Sequence, residues 1–351
     1  MRKNDRLSFI LAASLLLLVV CFKRIPVLTA FYVESIYPKL SRLLNGFSSL
    51  FPFSLYDVLI LGLIVWLITQ LIFLFMKSHR RRAWKTLLLG GVTIYCCFYL
   101  LWGINYFSSD FYTRNRIVPV VYDSVRFRTF VEDYIDKLND AYVETVRTED
   151  LDGEVAAGYN RLADEYRLNP VPSAHRNKPM LLGRLYASMG IKGYYGPFFG
   201  ETHYNTELLP HQKPFTIAHE TAHLLGITNE AEANLYAYLL CVESGDPSFR
   251  FSGYLSLLPY VLQNVRGNFS EEDYLDITAK LSEPVKSRYT ETAYYWRDLY
   301  SPFLGAVQNH FYEWYLKGNN IPSGRKNYSE VIGLIQSVDR YRKDNQTTHV
   351  R

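Results

Sequence analysis

The sequence has little cysteine, and this shortage limits the kinds of site it can contain. Four cysteines occur among 351 residues, and Cys21, Cys96 and Cys97 all lie in apolar runs. Only Cys241 falls in the polar two-thirds of the chain, which excludes a disulfide framework or a cysteine-based zinc knuckle there. Any metal bound by that part must therefore use nitrogen and oxygen ligands.

The chain also has little net charge of either sign. A formal charge of +4 is too small, and too local, to indicate nucleic acid as a partner. Much of the excess lies in two clusters beside long apolar runs: Arg2, Lys3 and Arg6, and then Lys77, Arg80, Arg81, Arg82 and Lys85. Basic clusters in such positions are typical of membrane proteins, so membrane lipid is an expected partner.

Three apolar runs, at about residues 7–22, 55–76 and 86–102, predict transmembrane helices. The first run can also be interpreted as a cleaved signal peptide, but Val19 and Val20 near its end do not form a small-residue cleavage site. We expect a membrane anchor over residues 1–104 and a second domain over residues 105–351. The basic clusters place the N-terminus in the cytoplasm and the second domain outside it.

Between the first two runs, residues 28–50 mix aromatic, apolar and basic side chains. They predict either an amphipathic helix at the membrane interface or a packed linker. Beyond residue 104, helices are predicted at 125–146, 151–167, 270–280, 291–317 and 328–342, and residues 193–205 read as extended. The fold class is therefore a mainly α membrane protein, with a mostly helical α+β domain and a small sheet.

The segment "FTIAHETAHLLG" contains the pattern H-E-x-x-H as His219, Glu220 and His223. Residues four apart share one face of a helix, so both imidazoles can bind one zinc ion while the glutamate serves as general base. Pro214 suits the first turn of this helix and Gly226 its end. The alternative is a pair of hydrogen-bonded core histidines, whose burial in an apolar segment would cost free energy.

A catalytic zinc site needs a third protein ligand, and Glu230 and Glu232 are the candidates. A tight turn after Gly226 predicts an antiparallel helical hairpin, which sets His223 opposite Glu230 and His219 opposite Asn234. Glu232 lies about 200° around the helix from Glu230, and it can instead complete a capping box. We therefore favour Glu230 as the ligand, keep Glu232 as the fallback, and expect Asn234 to support a ligating histidine.

H-E-x-x-H followed by E-x-x-x-N on the next helix resembles the gluzincin metallopeptidases. That resemblance implies a zincin-like domain in which His219, His223 and Glu230 bind Zn²⁺ and Glu220 is the general base. Asn234 stands where many gluzincins have aspartate, and the spacing resembles the compact members. Other divalent ions also accept such ligands.

A longer resemblance covers nearly the whole chain. Apolar N-terminal spans, "GYYGPFFGE" at 193–201, "AHETAH" at 218–223 and "EAN" at 232–234 resemble a bacterial family of membrane proteins of unknown function. This resemblance implies a multi-pass protein of the bacterial inner (cytoplasmic) membrane.

The extended segment at 193–205 is a candidate edge strand for binding a substrate peptide, or else a plain core strand. Tyr195, Glu201 and Asn205 are its candidate substrate-binding residues, and His203 is a weaker alternative ligand. A group that stabilises the transition state is expected from the C-terminal helices, where His310, Tyr312 and Tyr315 are available.

Three functions remain to be compared. The first is a membrane-anchored zinc metallopeptidase that hydrolyses peptide bonds outside the cytoplasm, with a peptide or protein as its substrate. The second is a non-catalytic zincin-like envelope protein, which has no need of an intact Glu220. The third, a transporter component, fits poorly with three spans that carry few charges.

Overall fold

The computed structural model describes residues 3–349, and the side chains of residues 6–345. Arg2 and the side chain of Lys3, on which the predicted orientation partly depends, lie outside the described residues. The protein is mostly helical with one small sheet, as predicted.

Helices α1 to α5 cover the anchor region. Their bounds are α1 Lys3–Arg24, α2 Pro26–Phe31, α3 Tyr37–Ser48, α4 Leu55–Phe75 and α5 Arg80–Leu101. The second region contains α6 Phe111–Asn115, α7 Ser124–Asp140, α8 Leu151–Tyr166, α9 Gly183–Ser188, α10 Lys213–Leu224, α11 Glu230–Val242, α12 Pro247–Asn268, α13 Glu271–Ala279, α14 Glu283–Leu299, α15 Pro302–Gly318 and α16 Val331–His349. A π-helix at Tyr32–Ile36 and 3₁₀ turns at Gly103–Phe107, Pro210–Gln212 and Gly324–Glu330 complete the helical structure of the described residues.

Helices α1, α4 and α5 are each long enough and apolar enough to cross a membrane, as predicted. The hydroxyl of Ser54 accepts the Asp57 N–H at 2.8 Å and so caps the N-terminus of α4. Helices α4 and α5 pack together and are joined by a short turn, so α4 begins and α5 ends at the same end of the hairpin. Which side of a membrane this end faces stays a prediction.

The segment between the first two spans is folded onto the second region. Tyr37 Oη and Ser41 Oγ, on one face of α3, donate hydrogen bonds to the carbonyl oxygen of Leu224 at 2.8 and 3.1 Å. The opposite face of α3 exposes Leu43 and Phe47. This helix is therefore a packed segment and an amphipathic one at once, with polar groups towards the protein and apolar groups outward.

Two clusters of buried side chains hold these parts together. The larger one is built from α7, α8, α10, α11, α12 and α16. The smaller one joins α1 and the end of α5 to the second region, and it contains Trp102, Tyr195, Leu224 and Leu316. The composition of the chain therefore changes near residue 104, but the segments before and after this point pack together in one structure.

The sheet has the strand order β1-β3-β2, with β1 at Lys178–Pro179, β2 at Gly193–Gly196 and β3 at Glu201–Tyr204. Strands β2 and β3 form the extended hairpin predicted at 193–205, with Tyr194 opposite His203. Because β3 is central, β2 is an edge strand.

The single helix predicted over residues 291–317 is wrong. The chain forms α14 and α15 instead, with a break at Tyr300 and Ser301. Ser301 Oγ accepts the Leu304 N–H at 3.4 Å, and Pro302 follows in the first turn of α15. A proline favours a first turn and disfavours a helix interior, so the break agrees with the local sequence.

Candidate metal centre

Helix α10 carries the H-E-x-x-H pattern and ends where the sequence predicts. Pro214 lies in its first turn, and Gly226 follows its C-terminus with φ +94°. A Cβ atom at Gly226 would also lie 2.9 Å from the Tyr37 ring, so both the backbone angle and the packing require glycine. The chain then reverses, and Glu230 becomes the first residue of α11.

This reversal brings three potential ligand atoms together. Nε2 of His219 lies 3.2 Å from Nε2 of His223, and Oε2 of Glu230 lies 3.2 and 3.5 Å from those two nitrogens. All three residues are buried. The predicted hairpin therefore sets Glu230 against both histidines.

A hydrogen bond at Nδ1 of His223 fixes the tautomer and the orientation of its ring. Nδ1 donates a hydrogen bond to the carbonyl oxygen of Ile227 at 2.7 Å. Because a carbonyl can only accept, the proton of the neutral ring lies on Nδ1 and the lone pair of Nε2 points at His219 and Glu230. A carbonyl partner of this kind is usual for histidines that bind metals.

The electrostatics of the cluster favour a positive charge between its members. Burial alone lowers the pKa of His223, but the neighbouring Glu230 carboxylate outweighs it and raises that pKa. Burial alone likewise raises the pKa of Glu230, yet the His223 and His219 imidazoles hold it well below its usual range. A proton or a metal cation satisfies the same arrangement.

The donor set and its dimensions fit zinc. Two imidazole nitrogens and one carboxylate oxygen are the ligands of one common class of catalytic zinc site. Ligands about 2.0–2.1 Å from a tetrahedral ion lie about 3.3–3.4 Å from one another, which agrees with the observed separations. Oε2 of Glu230 and Nδ1 of His219 are also buried without a hydrogen-bond partner among the described residues.

Glu220 lies beside this cluster and close to the edge strand. A Cβ atom on Gly193 would lie 2.4 Å from Glu220 Oε1, so a side chain at this position of β2 would displace the carboxyl. Burial raises the pKa of Glu220 to about 7, against the lowering effect of His219 and His223. Its Oε2 has no hydrogen-bond partner among the described residues, which leaves that oxygen available to exchange a proton.

Two residues hold Glu230 in place, and the sequence predicts neither of them as a partner of this glutamate. Tyr312 Oη donates a hydrogen bond to Glu230 Oε1 at 2.7 Å. Asn327 Oδ1 accepts the N–H groups of Glu230 and Ala231 at 2.9 and 3.2 Å, and so caps α11. The sequence offers Tyr312 only as a candidate for stabilising the transition state, and no local pattern points to Asn327.

Glu232, the fallback ligand, points away from the cluster. Its carboxylate pairs with Arg114, while its N–H donates to Asn229 Oδ1 at 3.0 Å. The predicted N-cap is therefore present, but the glutamate side chain binds an arginine instead of completing the capping box. Asn234 is buried next to the cluster, yet its Nδ2 and His219 Nδ1 each lack a hydrogen-bond partner in the described part of the chain. The predicted support of a histidine by Asn234 is therefore not formed.

A cleft of about 1250 Å³ opens onto these groups. Strand β2, which includes Tyr195, lines one side of it, while α12, α14 and α15 line others. The spans contribute Tyr56, Ile60, Phe98 and Trp102. Trp102 Nε1 also donates to the carbonyl oxygen of His223 at 3.0 Å, so the anchor region supports the helix that carries the cluster.

The structure corrects the prediction for Glu201 and Asn205, which do not line this cleft. Glu201 is fully buried and accepts a hydrogen bond from Lys178 Nζ at 2.6 Å. Asn205 donates to the carbonyl oxygens of Gly183 and Ile191 at 2.9 and 2.8 Å. Glu201 also accepts the Tyr56 N–H at 2.8 Å, in the first turn of α4, and Asn205 directly follows β3. Both side chains are therefore used by the fold.

Two further candidates also lie elsewhere. His203, the weaker alternative ligand, is hydrogen bonded to Ser54 Oγ at 2.8 Å, within the packing between β3 and α4. His310 is exposed on α15 and does not line the cleft.

Residues 32–336 match a family described as "Protein of unknown function (DUF3810)". The chain belongs to this family. Comparisons with curated proteins and with solved structures gave no match. The matched range begins beyond the first span and includes the other two spans, the sheet and the candidate metal centre.

Proposed function

We propose that this protein is a membrane-anchored, zinc-dependent peptidase that hydrolyses peptide bonds outside the cytoplasm. The observation that carries the proposal is the triangle of His219 Nε2, His223 Nε2 and Glu230 Oε2. Glu220 lies beside it, with an Oε2 that has no hydrogen-bond partner among the described residues. The resemblance to gluzincins supports the same assignment. His219, His223 and Glu230 would hold the zinc ion, which supplies Lewis-acid chemistry when bound.

The residues of the chain then have distinct tasks. Glu220 accepts a proton from the attacking water, whose oxygen forms a bond to the peptide carbonyl carbon. As the carbon–nitrogen bond breaks, Glu220 delivers that proton to the leaving nitrogen. One water is consumed, and a carboxylic acid and an amine are released.

The walls of the cleft would position the substrate peptide and the Glu230 carboxylate. Strand β2 presents a free backbone edge beside Glu220, where an extended peptide can add as a further strand. Tyr312 orients the Glu230 carboxylate through its hydrogen bond and leaves Oε2 facing the imidazoles. An extended peptide on β2 would therefore lie against the general base.

Zinc content of two matched variants tests the proposal directly. Glu230→Gln and Glu232→Gln change carboxylates two residues apart on the same buried helix. The purified full-length chain should bind about one zinc ion, measured by mass spectrometry. Glu232→Gln should retain it, while Glu230→Gln should weaken binding by about 100-fold or more, since losing even an outer-shell partner costs about 10–100-fold.

The whole chain is needed for this measurement because Tyr37, Ser41 and Trp102 all bind the C-terminal end of α10. Circular dichroism should show that both variants are folded. A folded wild-type chain that binds no zinc would sink the peptidase proposal and favour a non-catalytic envelope protein.

A further inference from the structure

The exposed side of α15 is apolar over nearly its whole length. Phe303, Val307, Phe311 and Trp314 follow one another at steps of four, four and three residues, so they share one face of the helix. Their side chains are between 41% and 75% exposed. A continuous apolar surface of this kind marks a site of binding or membrane contact rather than an ordinary solvated face.

The C-terminal end of α15 is held against the end of a span. Tyr99 Oη, in α5, donates a hydrogen bond to Asn319 Oδ1 at 2.7 Å. The rings of Phe98 and Tyr315 lie 6.0 Å apart in edge-to-face contact. Phe98 and Tyr99 lie less than one turn from the end of α5, so this end of α15 lies at the boundary of the membrane-spanning segment.

The N-terminal end of α15 is connected to the same boundary through α9. The Ser301 N–H donates to the carbonyl oxygen of Ser188 at 2.8 Å, at the end of α9. At the other end of α9, the Leu181 N–H donates to Asp57 Oδ2 at 2.9 Å, in the first turn of α4. Helix α4 begins at the end of the α4–α5 hairpin where α5 ends. Hydrogen bonds therefore connect both ends of α15, directly or through α9, to this same end of the spans.

Two more elements beside this end of the spans expose apolar side chains. Leu181, Leu182 and Leu185 are exposed around α9. Leu43, Phe47 and Leu50 are exposed on and just after α3, which precedes α4. Since the start of α9 and the end of α3 both adjoin the start of α4, whose apolar side chains are exposed, a bilayer is the natural occupant of these surfaces.

The geometry points to a membrane-interface surface, formed by α3, α9 and α15, that opens the cleft at the bilayer. The substrate class that follows, and that rests on the proposed peptidase function, is a polypeptide anchored in the same membrane and cut just outside it. Gln308 and Asn309 of α15 line the cleft while its other face meets lipid. Tyr56, Ile60 and Phe98 of the spans line the same cleft, so the cleft reaches the bilayer beside α15, where an anchored chain can enter it.

A photocrosslinking experiment tests the placement of α15 without requiring activity. Benzoylphenylalanine is introduced at Phe311, or at the comparably exposed Leu275 of α13 as a control, in full-length protein in phosphatidylcholine vesicles. Irradiation should attach lipid at position 311 and not at 275. Absence of a lipid adduct at 311, or equal adducts at both positions, would overturn the placement.

A second experiment tests the substrate class. Casein-derived peptides are offered to the reconstituted protein either free or coupled to a palmitoyl chain that anchors them in the vesicle. The anchored form should be cleaved with a kcat/KM at least about tenfold higher, and Phe311→Glu should remove this advantage while Leu275→Glu should not. Equal cleavage of both forms overturns the substrate class and leaves the peptidase proposal intact. Cleavage of neither overturns the peptidase proposal, and the lipid adduct at 311 still decides the placement of α15.

Discussion

Two pairs of consecutive helices border the same cleft, and the two pairs differ in how they are packed. In α10 and α11, every residue from Pro214 to Leu224 and from Glu230 to Cys241 is buried. In α14 and α15, which are longer, buried residues are few: Val285, Gly305 and Leu316.

The difference separates two tasks. Ligands of a metal ion must keep their geometry within a fraction of an ångström, and a hairpin enclosed by packed side chains provides that. A wall that meets changing peptides or lipid needs few fixed contacts, and such regions have low local stability. We therefore expect substitutions in α10 and α11 to affect metal binding and catalysis, and those in α14 and α15 to affect access to the cleft.

The largest expected effect comes from Glu220→Gln in the buried hairpin. Loss of the general base should lower kcat for peptide hydrolysis by about 10²–10⁴-fold, because the amide cannot exchange the proton. Zinc content measured on the same sample should stay at the wild-type level, since Glu220 is not one of the three converging ligands. Activity close to that of the wild type would show that Glu220 is not the base.

Tyr312→Phe tests the contact between α15 and Glu230 of the buried hairpin. Removing the hydroxyl that orients Glu230 should weaken zinc binding by about 10–100-fold, measured by competition with a chelator. Tyr315→Phe on the same helix removes a hydroxyl that accepts a bond from Tyr106 instead, so zinc affinity should change little. Equal losses in the two variants would show that the effect comes from packing and not from Glu230.

Gly226→Ala tests the turn that closes the buried hairpin. The positive φ costs an alanine about 1–2 kcal/mol, and its Cβ would approach the Tyr37 ring. The full-length chain should lose about that much or more in free energy of unfolding, measured by denaturant titration. Gly245→Ala, where a Cβ has open space, is the matched control and should cost less.

The smallest effects are expected from two helix N-caps, Asn229 at the start of α11 and Ser301 at the start of α15. Asn229→Ala should cost about 1 kcal/mol and also weaken zinc binding, because Asn229 caps the helix that begins with Glu230. Ser301→Ala should cost less, because its hydrogen bond to the Leu304 N–H is long at 3.4 Å. Hydrogen exchange should show faster opening confined to α15 in Ser301→Ala. Weaker zinc binding in that variant would contradict the separation of tasks.

Local patterns predicted much of this architecture. Apolar runs gave the three spans, and the spacing of His219 and His223 with the glycine at 226 gave the hairpin that brings Glu230 to them. These features depend on residues close in the chain, where helical periodicity and backbone angles act directly.

Residues that act across long separations could not be found in this way. Asn327 caps α11 from 97 residues away, and Arg114 binds Glu232 from 118 residues away. Nothing beside either residue distinguishes it from an ordinary surface group. The error at Glu201 has the same origin, since its carboxylate is held by Lys178 of β1 and by the Tyr56 N–H of α4. Asn205 is held by the carbonyl oxygens of Gly183 and Ile191, which no local pattern places beside it.

Local patterns in the sequence were enough to predict a helical protein with three helices long and apolar enough to cross a membrane, and with one hairpin rich in histidine and glutamate. Periodicity, chain reversal and hydrophobic length are all local properties. Only the tertiary structure decided that the spans form part of the cleft, that Tyr312 and Asn327 hold Glu230, and that α15 turns an apolar face outward. The physical reason is that burial and hydrogen bonding depend on which distant segments meet, and that follows from the packing of the whole chain.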